Sequence, residues 1–368
     1  MKNDRTALRR RVGSLLIAGV ETTALSALEA AWLRSLQPSG IILFRRNIES
    51  PQQLHALWRQ ASLQLEQPFF RCIDLEGGTV DRLRDLVGPA SSAAEVAATG
   101  RPAIFRAHGQ IIGRSLRLLG FNVDLAPVLD LALPAALPVM RTRVVSAEPA
   151  AVVAYAREFL HGLARSGVVG CGKHFPGLGG GTLDSHASMP KILRSWEQMW
   201  RQDLEPYRAL RAMLPMVMVN HAAYPRIERP PRPASVSRFW IRDVLRGKLR
   251  YRGLAISDDM EMGGVLQHGS LEEAAVEAVA AGTDLLEICH RADRVLSTHE
   301  ALLREAERSS AFARCVTAAA SRVHAARRTL LRGDSLPRPL SAAGLLNLQV
   351  ARRKFQERIA AQSAEGNR

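Results

Sequence analysis

The sequence predicts a single-domain α/β protein of the (β/α)8 barrel class, and three observations carry that expectation. Short apolar and β-branched runs recur along the 368 residues, stretches of helical period separate them, and polar residues gather at the ends of the runs. An open sheet does not require eight such runs, whereas a barrel does, and its active face is where the strands end. The length suits one large core.

The runs follow in order. Residues 13–20 come after Arg9, Arg10 and Arg11, an outline that a first buried strand shares with a secretory signal. The apolar part is short and Glu21 follows at once, which favours the strand. Residues 40–44 form the second run, a helical stretch at 50–65 follows, and the third run, 68–76, ends in Asp74 and Glu76. The helical stretch 102–119 leads to 122–130, which ends in Asp130. Then come 168–175 with Lys173 and His174, 215–222 with Asn220 and His221, 253–260 with Asp258 and Asp259, and finally 283–290. Leu296, Leu302, Leu303, Val323, Leu330 and Leu331 keep helical spacing after that, which predicts helices packed on the barrel. The barrel domain is expected to span 1–333, and 334–368 to be a partly helical extension with a frayed end.

Composition narrows the partners. No apolar run approaches the roughly 18 residues of a membrane span. A net charge of +15 could serve nucleic acid, a membrane surface or an anionic substrate. Its arginines are spread along the chain without interleaved aromatics or a groove-reading module, so neither a nucleic-acid nor a membrane partner is expected. Cys72, Cys171, Cys289 and Cys315 are scattered and form no CxxC pair, which suits a reducing, cytoplasmic setting; export by an N-terminal signal is the alternative.

Three segments carry chemistry. Lys173 to His186 ends a strand and opens a glycine-rich loop, but its lysine precedes the glycines, so it is no Walker loop. Within it Asp184 and His186 can form a dyad that moves protons near neutral pH, or can simply pin the loop. In Ser257-Asp258-Asp259-Met260 side chains alternate, so one acid can enter a pocket while the other turns to backbone or a helix N-terminus. Asp74-Leu75-Glu76-Gly77-Gly78 followed by Arg82 offers a carboxylate and a guanidinium suited to sugar hydroxyls, or a plain ion pair. None of these has zinc or calcium spacing, so no metal or cofactor is expected.

Taken together, 40–48, Asp74 to Gly78, Ala126 to Asp130, Lys173 to Gly177, Asp184-Ser185-His186 and Ser257 to Met260 resemble glycoside hydrolase family 3, specifically its single-domain β-N-acetylglucosaminidases of peptidoglycan recycling. The resemblance implies a retaining exo-glycosidase that removes terminal β-linked N-acetylglucosamine, with Asp258 as nucleophile, His186 as acid/base and Asp184 orienting it. It places Asp74, Arg82, Arg143, Lys173, His174 and His221 around the sugar, which comes from a glycan or muropeptide. Phosphorolysis of the same bond is the near alternative, and a degenerate sugar-binding barrel a further one. Two departures stand out: Leu178 where the family loop has a histidine, and Arg143-Val144-Val145-Ser146 in place of Arg-Ser-Phe-Ser. The glycines at 177–181 lead to the expectation of a mobile loop that closes over the sugar.

Overall fold

The computed structural model describes residues 2–181 and 189–366. Its strands are β1 (Leu16–Gly19), β2 (Gly40–Ile42), β3 (Phe70–Ile73), β4 (Leu75–Gly77), β5 (Val80–Asp81), β6 (Val123–Asp124), β7 (Val169–Phe175), β8 (Met216–Val219), β9 (Leu254–Asp259) and β10 (Leu285–Ile288). Eight of them close a parallel barrel in the order β1-β10-β9-β8-β7-β6-β3-β2. Closure is made where Ala18 of β1 registers with Ile288 of β10 on one side and with Ile41 of β2 on the other.

Strands buried on both faces read as continuous apolar runs, which is why the runs were visible in the sequence. Alternation then sorts the side chains. Ile17, Ile42, Phe70, Cys72, Cys171 and Met218 fill the barrel interior, while Leu16, Ala18, Ile41 and Val217 pack outward under the helices. The N-terminal end of the barrel is crossed by the helix Ser310–Leu330. Its Arg327 donates to the Pro68 carbonyl at 2.8 Å and to Ser39 Oγ at 3.1 Å, and Arg322 donates to Asp284 at 2.6 Å. Those three acceptors precede β3, β2 and β10, so the opposite face is left for the site.

All eight predicted runs contain a barrel strand, and each strand is shorter than its run. The third run does not continue to Glu76: β3 ends at Ile73, and β4 and β5 form a separate antiparallel hairpin above it. Gly77 and Gly78 turn the hairpin with φ of 84° and 61°. A Cβ on Gly77 would lie 2.0 Å from the Ser91 carbonyl oxygen, so the turn requires glycine. In the fourth run the regular strand ends at Asp124; the Leu125 N–H still donates to the Ile73 carbonyl and the Ala126 and Pro127 carbonyls accept from Cys171 and Lys173, and Val128 returns as a bridge to Lys173. The helix Pro51–Gln64 starts where Ser50 accepts from the Gln53 N–H, and Pro102–Leu118 likewise opens on proline.

The helix Ala342–Gly366 packs on the hairpin side of the barrel. Leu348 and Ile359 are buried there, and Arg352 forms a buried 2.7 Å ion pair with Asp81 of β5. Asp81 also accepts from the N–H groups of Leu83 and Ala90. Because side chains alternate, Asp81 faces the body of the protein while Arg82, next in line, faces the strand ends. After Arg11, Val12 and Gly13 end the helix Lys2–Gly13, and Leu16–Gly19 form β1. Among the described residues no helix is long and apolar enough to cross a membrane.

Candidate active site

At the C-terminal ends of the strands lies a pocket of about 300 Å³. Asp74, Arg82, Arg143, Lys173, His174 and Asp258 all line it, so six of the predicted site residues meet in one place.

Lys173 is the hub. Its ammonium is 2% exposed and donates to Asp74 at 2.6 Å and to Glu76 at 2.7 Å. Burial alone would lower its pKa, but the two carboxylates overcome that and hold it above the ordinary lysine value. Glu76 also receives a two-pronged contact from Arg143, Nε at 2.7 Å and Nη2 at 2.9 Å. Burial works to raise the Glu76 pKa, yet Arg143 and Lys173 together hold it well below the usual carboxylate range. Arg82 stands 3.9 Å from Asp74, beyond hydrogen-bond reach, with its guanidinium over the ring of Phe44.

His174 is fixed from both sides. Its Nδ1 lies 2.6 Å from Asp130 and its Nε2 lies 3.2 Å from Arg143 Nη2. Arginine can only donate, so Nε2 accepts and Nδ1 carries the proton given to Asp130. Asp130 in turn accepts the backbone N–H of Leu178 at 2.7 Å, which ties the glycine-rich loop to the same network.

Both acids of β9 line the pocket, where only one was expected to enter it, but their carboxyl groups are held differently. Asp258 accepts the Asp259 N–H at 2.9 Å and faces the pocket. Burial pushes its pKa up, but His174, His221, the Asp259 N–H and Lys173 outweigh it and keep the carboxyl below the ordinary aspartate value. It is therefore an ionised carboxylate with room before it. Asp259 instead accepts from the Glu261 N–H at 3.0 Å and pairs with His290 at 3.0 Å, raising the His290 pKa.

His221 does not join the predicted sugar contacts. It is 0% exposed and absent from the pocket wall, with Nδ1 on Ser235 Oγ at 2.7 Å and Nε2 donating to the Asp259 carbonyl at 3.0 Å. Both ring nitrogens are spent on the scaffold, Nδ1 on Ser235 and Nε2 on β9, so its role is corrected from sugar ligand to support for the Asp258 segment. Asp184 and His186 lie outside the described residues; Gly181, just before residues 182–188, and Pro190, two residues after them, both line the pocket.

The described part of the glycine-rich loop is packed, and its glycines serve close approach. Leu178 is 9% exposed, Tyr224 donates to the Gly177 carbonyl, and a Cβ on Gly179 would lie 2.7 Å from the Leu131 carbonyl oxygen. Close approach of backbone to backbone is what these glycines permit.

Two titratable pocket residues, His290 and Glu287, were not singled out from the sequence. His290 stacks on Phe44 with ring centroids 5.4 Å apart. Glu287 of β10 also lines the pocket, and the signal for it was present: in a barrel strand it alternates inward with Leu285 and Cys289.

Comparison with known proteins agrees with this architecture. The family model described as the glycosyl hydrolase family 3 N terminal domain matches residues 7–326. A β-hexosaminidase of Methylococcus capsulatus is 36% identical over 282 residues, covering 76% of this chain and 83% of the relative. One from Idiomarina loihiensis is 33% identical over 279 residues, covering 75% and 83%. Among solved structures, a glycoside hydrolase family 3 β-N-acetylglucosaminidase from Paenibacillus sp. superposes with a TM-score of 0.88 at 30% identity, over 97% of this chain and 68% of that one. A β-N-acetylhexosaminidase from Beutenbergia cavernae gives 0.78 at 26% identity, over 87% and 98%.

Proposed function

Since the chain belongs to glycoside hydrolase family 3 and is a glycoside hydrolase, we propose that it removes terminal β-linked N-acetylglucosamine from peptidoglycan-derived fragments with retention of configuration. The observation that carries this reading is Asp258: one ionised carboxylate, held by β9 and aimed into a pocket of about 300 Å³, the lower end of the size range of small-molecule sites. Asp258 attacks the anomeric carbon, and the resulting glycosyl ester is then hydrolysed by water.

Most such enzymes protonate the leaving oxygen with a second carboxyl group. Three of the described carboxyl groups that line the pocket beside Asp258 are already engaged, and the fourth, Glu287, is treated below as a sugar contact. Glu76 is locked between Arg143 and Lys173, Asp74 is paired with Lys173, and Asp259 turns to His290. His186, supported by Asp184, fills the vacant role in this proposal, and the pocket position of the flanking Gly181 and Pro190 supports it. Asp74, Arg82, Arg143, Lys173 and His174 surround the sugar and its N-acetyl group.

A panel of aryl β-glycosides tests the reading: N-acetylglucosaminide is expected to be cleaved in preference to glucoside, xyloside and N-acetylgalactosaminide. A fluorosugar that traps the ester should label Asp258, and an adduct on another residue overturns the mechanism. His186→Ala should lose far more on natural disaccharides than on activated aryl glycosides, since only the former need a proton on the departing oxygen. Running the reaction with and without phosphate separates hydrolysis from phosphorolysis by its product.

A further inference from the structure

We propose that Glu287 is a further sugar-contacting residue, which donates a hydrogen bond from the floor of the pocket to one ring hydroxyl of the bound sugar and thereby sets part of its specificity. The inference rests on the reading of this pocket as the seat of the terminal sugar.

Three observations carry it. Direction comes first: Leu285 and Cys289 belong to the barrel interior and Leu286 and Ile288 to the layer under the helices, so Glu287 points inward. It lines the pocket, whose wall also includes the apolar Ile42 and Met218 and the charged Asp74, Lys173 and Asp258. Second, its backbone is clamped to the strand that carries Asp258. The Glu287 N–H donates to Ser257 Oγ at 3.1 Å and its carbonyl accepts the Met260 N–H at 2.9 Å, so the carboxyl group is held at a fixed place relative to the nucleophile. Third, Glu287 is 2% exposed and, among the described residues, its Oε1 has no hydrogen-bond partner.

A buried carboxyl oxygen without a partner is costly, and an apolar residue at the same inward position would avoid that cost. A ligand that arrives with a hydroxyl group removes it. Burial, reinforced by the neighbouring Asp74, Asp258 and Asp259 and only partly offset by Lys173, drives the carboxyl pKa well above the ordinary glutamate value. The protonated, donating form is thus favoured, and it adds no negative charge beside Asp258.

The test pairs two variants with a set of substrates. Wild type, Glu287→Gln and Glu287→Leu are compared on an aryl N-acetylglucosaminide and on its 3-, 4- and 6-deoxy analogues. Glutamine keeps a neutral donor of similar size and should stay within a few-fold of wild-type kcat/KM. Leucine should lose about tenfold on the parent substrate, the scale of one hydrogen bond, but almost nothing on the single analogue that lacks the hydroxyl Glu287 reads. Equal loss on all four substrates, or none on any, overturns the assignment while leaving the glycosidase reading intact. Thermal melts confirm that the variants fold, and a direct readout accompanies them: the parent sugar as inhibitor should bind Glu287→Leu about tenfold more weakly, and unchanged binding by a folded variant also overturns the proposal. A wild-type enzyme inactive on the parent glycoside overturns both readings.

Discussion

At the scale of single residues, the site is a chain of charged and polar groups in which each partner holds the next. Asp74, Lys173, Glu76, Arg143, His174 and Asp130 follow one another through contacts of 2.6 to 3.2 Å. Such a chain is expensive to break at one point, because the remaining charge is left buried. Glu76 gives the test. Its folded-state pKa lies below the ordinary 4.5, so the unfolded chain binds its proton more readily, and its contribution to stability is complete above about pH 4.5 and lost as the pH falls through the folded value. Glu76→Gln should therefore be several kcal/mol less stable than wild type near pH 7, about 3–5 by the usual cost of breaking a buried pair. Denaturant melts near pH 3 should show that gap narrowed, and a gap independent of pH would mean that Glu76 acts through packing alone. The sequence exposed part of this chain: Asp74, Lys173 and His174 stand at the ends of apolar runs, where a charge is conspicuous. His221 stands at a run's end too, yet it faces Ser235 and the Asp259 carbonyl. Position along a strand was legible; which side chains spend their nitrogens on the scaffold depends on neighbours from other strands.

At the scale of elements, the loops decide what the strands present. Periodicity exposed the eight strands because each is buried on both faces. It could not expose the β4–β5 hairpin, whose three residues and two residues are too short for a period and whose turn depends on the approach of Ser91. The glycine-rich loop makes the same point, and it yields a graded prediction. A Cβ on Gly179 meets the Leu131 backbone oxygen at 2.7 Å, whereas one on Gly180 meets the side-chain stem of Arg194 at 2.9 Å. Backbone cannot yield locally, but a side chain can shift. Gly179→Ala should therefore lower kcat/KM by about tenfold or more by displacing the loop that leads to Asp184 and His186, and Gly180→Ala by clearly less. Equal effects would return the loop to the mobile reading. The helix Ala342–Gly366 acts on the site through β5: Arg352 holds Asp81, and Arg82 is the next residue. Arg352→Met should cost about 3 kcal/mol, at the low end for a broken buried pair because Asp81 keeps the N–H groups of Leu83 and Ala90. It should also raise KM more than it lowers kcat, since the loosened residue binds sugar rather than reacting with it; steady-state kinetics beside a thermal melt will separate the two effects.

At the scale of the whole molecule, the charge balance outside and inside the pocket differ. The chain carries +15. Inside, Lys173, Arg143 and Arg82 are answered by Asp74, Glu76, Asp258 and Asp259, so the pocket itself has no positive field to draw in an anion. An excess spread over the surface acts at long range, on encounter, and is screened over about 10 Å at 0.1 M salt. That difference separates the two parts of the proposed substrate. A neutral aryl N-acetylglucosaminide fills the pocket without feeling the surface, and its kcat/KM should change less than about twofold between low and moderate salt. A muropeptide brings carboxylates that remain outside the pocket, where the arginines are. Its kcat/KM should fall several-fold over the same range, with kcat almost constant, because salt weakens association and leaves the buried site untouched. Parallel salt series on the two substrates measure this directly. If the muropeptide responds no more than the neutral glycoside, the positive charge has no part in capturing acidic cell-wall fragments, and substrate choice rests on the pocket alone.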